Sequence, residues 1–211
     1  LVRCRSSGRW LVNRMPVARK VMDSVLGIDK DRVLPEYTSA TFRGHARADA
    51  SFPVKDSMST PGKVAIYSTC YVNYNEPGIG NDLLRILAHN KIPTIVVEKE
   101  NCCGMPKLEL GDLDAVEKLK NGNLPALARL AKEGYAILTP IPSCTLMFKQ
   151  ELPLLFPHDA DLKLVAEAMF DPFEYLSLRH KDGLLNTEFT TRLGRVSYHV
   201  PCHLRVQNMG L

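Results

Sequence analysis

The 211-residue sequence has no long apolar run, and this absence excludes an evident membrane-spanning helix. The longest stretch without charged residues covers residues 134–148 and contains two prolines, whereas a spanning helix needs about 20 apolar residues. Aromatic residues are scarce, at 7%, and they are not interleaved with the basic residues as stacking on bases requires. Nucleic acid is therefore not an expected partner.

Several motifs of common enzymes are also missing. Gly78 and Gly80 follow an apolar run, but Leu83 stands where a dinucleotide-binding loop would have its third glycine. There is no Gly-x-Ser-x-Gly sequence, and the carboxylates are spread along predicted helix surfaces. These absences argue against nucleotide binding and against hydrolase chemistry, and no catalytic residue is predicted.

Basic residues are concentrated near the start of the sequence. Residues 1–62 hold 11 Lys and Arg against 6 Asp and Glu. Pro16, valines at 17, 21 and 25, and Gly27 predict a short amphipathic helix, which a polar, turn-rich linker follows. We interpret residues 1–62 as a basic N-terminal helix and linker that is either solvated or docks on a partner, and we expect the helix to pack on the domain that follows. Because the chain starts at Leu1, we expect it to be a piece of a longer protein.

From residue 63 onwards, short β-branched runs alternate with helical periodicity. Strands are predicted at 64–69, 93–98, 135–139 and 195–200. Helices are predicted at 80–90, 112–132, 161–169 and 172–181, with the second interrupted near Asn121 and restarted by Pro125. Alternating strands and helices predict an α/β fold with a mostly parallel sheet and flanking helices.

Five of the six cysteines lie just after these predicted strands: Cys70, Cys102, Cys103, Cys144 and Cys202. Since parallel strands end at one edge of a sheet, residues distant in sequence meet there. Thiolates are ligands for iron–sulfur clusters and for zinc, and Gly104 would let the backbone approach a bulky inorganic group. We therefore predict a metal centre in a reducing compartment, with zinc as an open alternative.

The segment from Val64 to Cys70 has a counterpart from Val196 to Cys202, because each begins with valine and has cysteine six residues later. This repeat predicts a first complete module at residues 63–190. The start of a second, truncated unit is predicted at residues 191–211.

The motifs Glu100-Asn-Cys-Cys-Gly-Met-Pro and Pro142-Ser-Cys-Thr-Leu-Met, together with the blocks at 70–75 and 198–205, resemble the CCG cysteine-rich domain family. This family includes the B subunit of heterodisulfide reductase, and the blocks look most like the iron–sulfur C subunits of anaerobic glycerol-3-phosphate dehydrogenases. The resemblance implies an iron–sulfur electron-transfer subunit of an oxidoreductase. It would pass electrons from a flavoprotein dehydrogenase subunit toward quinone, in the cytoplasm or peripherally on the inner face of the membrane through its partner.

The resemblance has one departure, because Met147 stands where the family pattern has its last cysteine. Cys70, Cys102, Cys103 and Cys144 still suffice for a cubane 4Fe–4S cluster or for zinc, whereas a noncubane cluster with five cysteine ligands lacks one. We interpret Met147 as a core residue. The alternatives are a zinc module that docks subunits and a thiol–disulfide oxidoreductase like heterodisulfide reductase.

Overall fold

A computed structural model describes residues 15–32, 34–191 and 193–207. Cys4 and four of the 11 basic residues of the segment 1–62 lie outside these ranges. The strands are β1 (Val64–Ile66), β2 (Thr94–Val96), β3 (Ala136–Leu138) and β4 (Met169–Phe170). The helices are α1 (Pro16–Leu26), α2 (Phe42–His45), α3 (Thr69–Tyr74), α4 (Pro77–His89), α5 (Met105–Glu109), α6 (Leu113–Lys132), α7 (Pro142–Leu146), α8 (Leu152–Leu155), α9 (Ala160–Ala168), α10 (Pro172–Lys181) and α11 (Cys202–Arg205), with a π-helical turn at Met147–Glu151.

The four strands form one parallel sheet in the order β2-β1-β3-β4. Val64 in β1 is aligned with Thr94 in β2 and with Ala136 in β3. The predicted α/β class and parallel sheet are thus confirmed. β1 occupies an inner position and is fully buried, as its continuous apolar run requires.

Successive residues of β1 point to opposite faces of the sheet, and each face supports its own core. Val64 and Ile66 pack with the core that includes α4 leucines and Phe42. Ala65 and the following Tyr67 pack with the core that includes the apolar side of α6. The sheet therefore lies between two helical layers.

The predicted fourth strand at residues 195–200 is wrong. These residues have no strand conformation and are mostly exposed, and no strand within the described ranges pairs with them. The fourth strand is instead β4, two residues of Met169 and Phe170 that pair with Ile137 and Leu138. An alternating pattern cannot form a strand without a neighbour to accept its backbone hydrogen bonds.

The predicted interruption of the long helix is also wrong, because α6 continues from Leu113 to Lys132 with Pro125 inside it. Leu124 and Leu127 continue the apolar stripe of Val116 across the Asn-Gly-Asn-Pro segment. Their burial holds the helix together where local propensity alone would end it.

The N-terminal helix is confirmed as α1, and Gly27 ends it in the left-handed conformation at φ 64°. The guanidinium group of Arg19 is buried and donates to the carbonyls of Asp29, Lys30 and Arg32. The valines of α1 remain exposed. None of the helices described here combines the length and the apolar character that crossing a membrane requires.

The segment predicted as a linker packs against the module, although its composition is typical of a loop. Phe42 is buried next to Gly80 and Val72, and the carbonyl of Asp49 accepts a hydrogen bond from the amide of Thr94 at 2.8 Å. The domain boundary near residue 62 and the truncated second unit remain predictions.

Asp171, which follows β4, gives stability a predictable pH dependence. Its carboxylate is 2% exposed and caps α10 by accepting the amide hydrogen of Phe173. Burial raises the pKa of Asp171 to about 6, above the usual value of about 3.9. Because the folded state holds the proton more tightly, the stabilising effect of protonation is complete below about pH 4 and is lost as pH rises through about 6.

We expect Asp171→Asn to raise the free energy of unfolding above pH 7 by about 1–3 kcal/mol, with the gain shrinking toward zero near pH 4. Asparagine keeps the cap but carries no buried charge. Urea unfolding at several pH values measures the effect. Asp171→Ala, which removes the cap, is the control and should destabilise at every pH, and a gain that does not vary with pH would contradict the assignment.

Candidate metal centre

Three neighbouring strands deliver four cysteines to the same edge of the sheet. Cys70 lies in the first turn of α3, immediately after β1, and Cys144 lies in α7, after β3. Cys102 and Cys103 lie in the loop that connects β2 to α5. The convergence follows from the parallel pairing, which places all three strand ends side by side.

The four thiols lie near one another in a row. The thiol of Cys144 donates to Sγ of Cys103, and the two sulfur atoms are 3.1 Å apart. Cys102 lies near enough to Cys103 and to Cys70 for both thiols to lower its pKa. Burial increases along the row. Cys70 is exposed and Cys102 is half-buried, whereas Cys103 and Cys144 are only 3% and 4% exposed.

Hydrogen bonding within the row concentrates negative charge on Cys102. Bonds from Cys103 and from Cys70 lower the pKa of the Cys102 thiol well below its ordinary value, and the backbone amides of Gly104 and Cys103 add to this effect. The same contacts with Cys102 raise the pKa values of Cys70 and Cys103, with burial as a further cause. Cys102 is thus the sulfur best prepared to act as an anionic ligand.

Gly104 closes the cysteine loop in a conformation that suits glycine. Its φ of 99° lies in the left-handed region, and a Cβ atom there would lie 3.4 Å from Cε of Met147. Met147 itself is fully buried in the core that contains Cys103 and Cys144. The interpretation of Met147 as a packing residue agrees with this burial.

Asn123 on α6 holds the backbone of the cysteine loop. Its Oδ1 accepts the amide hydrogen of Asn101 at 2.7 Å, and its Nδ2 donates to the carbonyl of Cys102 at 3.1 Å. The buried hydroxyl of Tyr67 donates to the carbonyl of Asn101. These part-buried bonds satisfy backbone groups that the irregular loop does not pair by itself.

Glu100 ties the same loop to the turn that precedes Cys70. Its carboxylate accepts the amide hydrogen of Ser68 at 2.9 Å and the hydroxyl hydrogen of Ser68. Burial raises the pKa of Glu100 to about 7, against the opposing effects of these bonds and of the charge of Arg43. Thr69, which directly follows Ser68, has a φ of 69°. This left-handed backbone conformation costs an L-residue about 1–2 kcal/mol.

The thiol row fits a thiolate-binding metal group, although the sulfurs are not spaced around an ion. Zinc–sulfur bonds of about 2.3 Å at tetrahedral angles would separate the sulfurs by about 3.8 Å, more than the 3.1 Å between Cys103 and Cys144. Across the described ranges, no three Cys, His, Asp or Glu side chains have the arrangement of a formed metal-ion site. The thiol of Cys144 instead hydrogen-bonds to Sγ of Cys103.

The donor set and its sequence order correspond to a known domain type. The sequence profile of the CCG family, described as a cysteine-rich domain, matches residues 64–149. This segment is similar to CCG cysteine-rich domains. It contains β1 to β3 and all four thiols of the row.

Curated relatives extend the similarity beyond the CCG domain. The chain is 28% identical to the C subunit of the anaerobic glycerol-3-phosphate dehydrogenase of Escherichia coli over 88% of its own length and 46% of the relative. It is 26% identical to the B subunit of the fumarate reductase (CoM/CoB) of Methanothermobacter marburgensis, over 84% and 33%. It is also 24% identical to an uncharacterized iron–sulfur protein of Methanocaldococcus jannaschii, over 68% and 26%.

The three relatives are thus a dehydrogenase subunit, a reductase subunit and an iron–sulfur protein. The chain spans less than half the length of these three relatives. No solved structure matches it.

Cys202 does not join the thiol row. It is exposed at the start of α11, and in the part of the chain that the structure describes it makes no sulfur contact with the other four cysteines. α11 nevertheless lies near the site, since Gln207 donates to the carbonyl of Pro142 at the start of α7. A ligand role for Cys202 stays a prediction, one without support from these sulfur contacts.

Sequence reasoning missed three residues that organise the CCG-like segment: Tyr67, Glu100 and Asn123. The sequence pattern places Asn123 in a helix break, whereas its side chain serves the cysteine loop. Glu100 belongs to the motif that carries the family resemblance, but its spacing gives no sign of its partner Ser68. One signal was available for Asn123: a polar residue at a buried helix position needs a hydrogen-bond partner.

We expect Asn123→Ala to lower the free energy of unfolding by about 1–3 kcal/mol, because the amide of Asn101 and the carbonyl of Cys102 lose their partner. Asn121→Ala is the matched control on the same helix. Asn121 is exposed, so its replacement should change stability by less than about 0.5 kcal/mol. Equal effects of the two substitutions in urea unfolding would show that Asn123 has no holding role.

Proposed function

We propose that this chain is an iron–sulfur electron-transfer module whose ligands are Cys70, Cys102, Cys103 and Cys144. The observation that carries the proposal is the row of four neighbouring thiols, which three different strand ends supply. Soft anionic sulfurs of this kind are the usual ligands of iron–sulfur clusters.

The residues around the thiols suit this function. When bound, an iron–sulfur cluster supplies a centre that accepts and releases single electrons. Cys102 provides an anionic sulfur that amide groups of Gly104 and Cys103 stabilise. Such hydrogen bonds to sulfur, together with burial of Cys103 and Cys144, are features that tune reduction potentials.

The proposed partners are a flavoprotein dehydrogenase subunit as electron donor and quinone as acceptor. This assignment rests on similarity to the C subunit of an anaerobic glycerol-3-phosphate dehydrogenase. The chain would act as a non-catalytic component in the cytoplasm, held at the inner face of the membrane through its partner.

Four thiols and a buried methionine favour a cubane 4Fe–4S cluster over a noncubane cluster with five cysteine ligands. Four thiols are also the complete ligand set of a structural zinc site. The zinc-binding docking module is therefore the second candidate. Chemical analysis separates the two, because zinc requires no acid-labile sulfide.

Anaerobic reconstitution with iron and sulfide tests the proposal. The wild-type chain should bind iron and sulfide in equal amounts and give a broad sulfur-to-iron charge-transfer absorption. Cys103→Ser should lose most of both, because it removes a central thiol of the row. The matched control is Cys202→Ser, which removes an exposed thiol outside the row and should keep its iron.

Two outcomes would overturn the iron–sulfur assignment. One is equal iron and sulfide content in wild type and Cys103→Ser. The other is about one zinc per chain without iron or sulfide after anaerobic purification, which would establish the zinc module instead.

Replacement of Met147 tests whether its sulfur binds metal. Met147→Leu keeps an apolar side chain of similar volume in the core and should cost less than about 1.5 kcal/mol of unfolding free energy. Iron and sulfide content should match the wild type. A marked loss of iron with an unchanged fold would instead assign the thioether as a ligand.

A further inference from the structure

Glu100 connects the two segments that carry Cys70 and Cys102, the less buried thiols of the row. It lies two residues before Cys102, and its carboxylate binds Ser68, which lies two residues before Cys70. The backbone pairing between these segments ends earlier, with the bond from the amide of Val97 to the carbonyl of Ile66 at 3.0 Å. Beyond that bond, the Glu100 carboxylate connects the two segments through its hydrogen bonds with the amide and the hydroxyl of Ser68.

The turn that Glu100 holds has an unfavourable backbone conformation. Thr69 is β-branched and buried, yet its φ of 69° lies in the left-handed region. Its hydroxyl accepts the amide hydrogen of Val72 at 3.3 Å, which fixes the first turn of α3. A strained conformation persists where neighbouring contacts impose it, and such residues cluster at functional sites.

We propose that Glu100 is a positioning residue that holds the strained turn at Ser68 and Thr69, so that Cys70 lies against Cys102 before any metal binds. The inference rests on the proposed function for its purpose, but its geometry concerns the metal-free chain. Fixing ligands in advance lowers the entropic cost of binding, so Glu100 would favour capture of the metal group. Tyr67, by contrast, holds the loop at Asn101 from within the core.

The test measures how closely Glu100 holds the two thiols in the absence of metal. The full chain carries Cys4→Ala, Cys103→Ala, Cys144→Ala and Cys202→Ala, which leaves Cys70 and Cys102 as its thiols. It is equilibrated with oxidised and reduced glutathione in the presence of a chelator. Each disulfide formed releases two glutathione thiols, so the equilibrium gives the effective concentration of Cys70 relative to Cys102.

We expect Glu100→Ala to lower this effective concentration by about tenfold, since both bonds to Ser68 are lost. Glu100→Gln should restore it to within about threefold, because the amide can accept from the backbone of Ser68 and donate to its hydroxyl. Glu98→Ala, at an exposed position of the same loop, is the matched control and should leave the value unchanged.

An unchanged effective concentration in Glu100→Ala would overturn the proposal, as would failure of Glu100→Gln to restore it. Circular dichroism and urea unfolding accompany each variant, because a merely structural role would lower stability without changing the proximity of the thiols in the folded chain. If Glu100→Ala does not fold, Ser68→Ala replaces it and should lower the value by about threefold. No change in that variant would equally overturn the proposal.

The effect of Glu100 on the thiol equilibrium can be established whether or not the proposed function is correct. Effective concentration is measured without iron, so a chain that binds zinc, or no metal, can still show the effect of Glu100. Conversely, iron and sulfide binding by the wild-type chain can stand even if Glu100→Ala leaves the thiol equilibrium unchanged.

Discussion

Parallel pairing of β1 with β2 and β3 is the constraint on which the thiol site depends. It aligns three strand ends at one edge, and each end leads directly into a segment that carries cysteine. The pairing is stable because β1 is buried on both faces, with Val64 and Ile66 in one core and Ala65 in the other. The site thus draws its geometry from the central element of the fold.

The loop with Cys102 and Cys103 needs additional support, because it has no regular secondary structure. Side chains from a neighbouring helix and from the end of the central strand supply that support: Asn123 from α6, Tyr67 just after β1, and Ser68 from the following turn. Each satisfies a polar group that would be costly to bury unpaired. The thiols are therefore placed by a polar framework as well as by the sheet.

The sequence allowed prediction of the elements whose signal is local. Apolar runs bounded by polar residues located β1, β2 and β3, and the positions of the cysteines after them indicated the shared edge. β4 was missed because two residues, Met169 and Phe170, are too short to show a period. The valine-led segment at 195–200 was misassigned because a strand pattern does not reveal whether a partner strand exists.

Contacts across long sequence separations were beyond the reach of pattern reasoning. Asn123 resembled a helix breaker, and the partner it serves is 21 to 22 residues away. Glu100 and Ser68 are 32 residues apart, and neither residue type is distinctive alone. Such pairs become visible only after the chain has brought the segments together.

The thiol row is unevenly buried, so that only one end of it faces solvent. Cys103 and Cys144 have the hydrophobic core behind them, whereas Cys70 borders solvent. The shortest route between the sulfurs and the surroundings therefore leads past Cys70 and Cys102. Alkylating reagents and chelators meet the row from that flank, and under the proposed function the rate at which electrons tunnel to or from the site depends on how near a partner comes to Cys70.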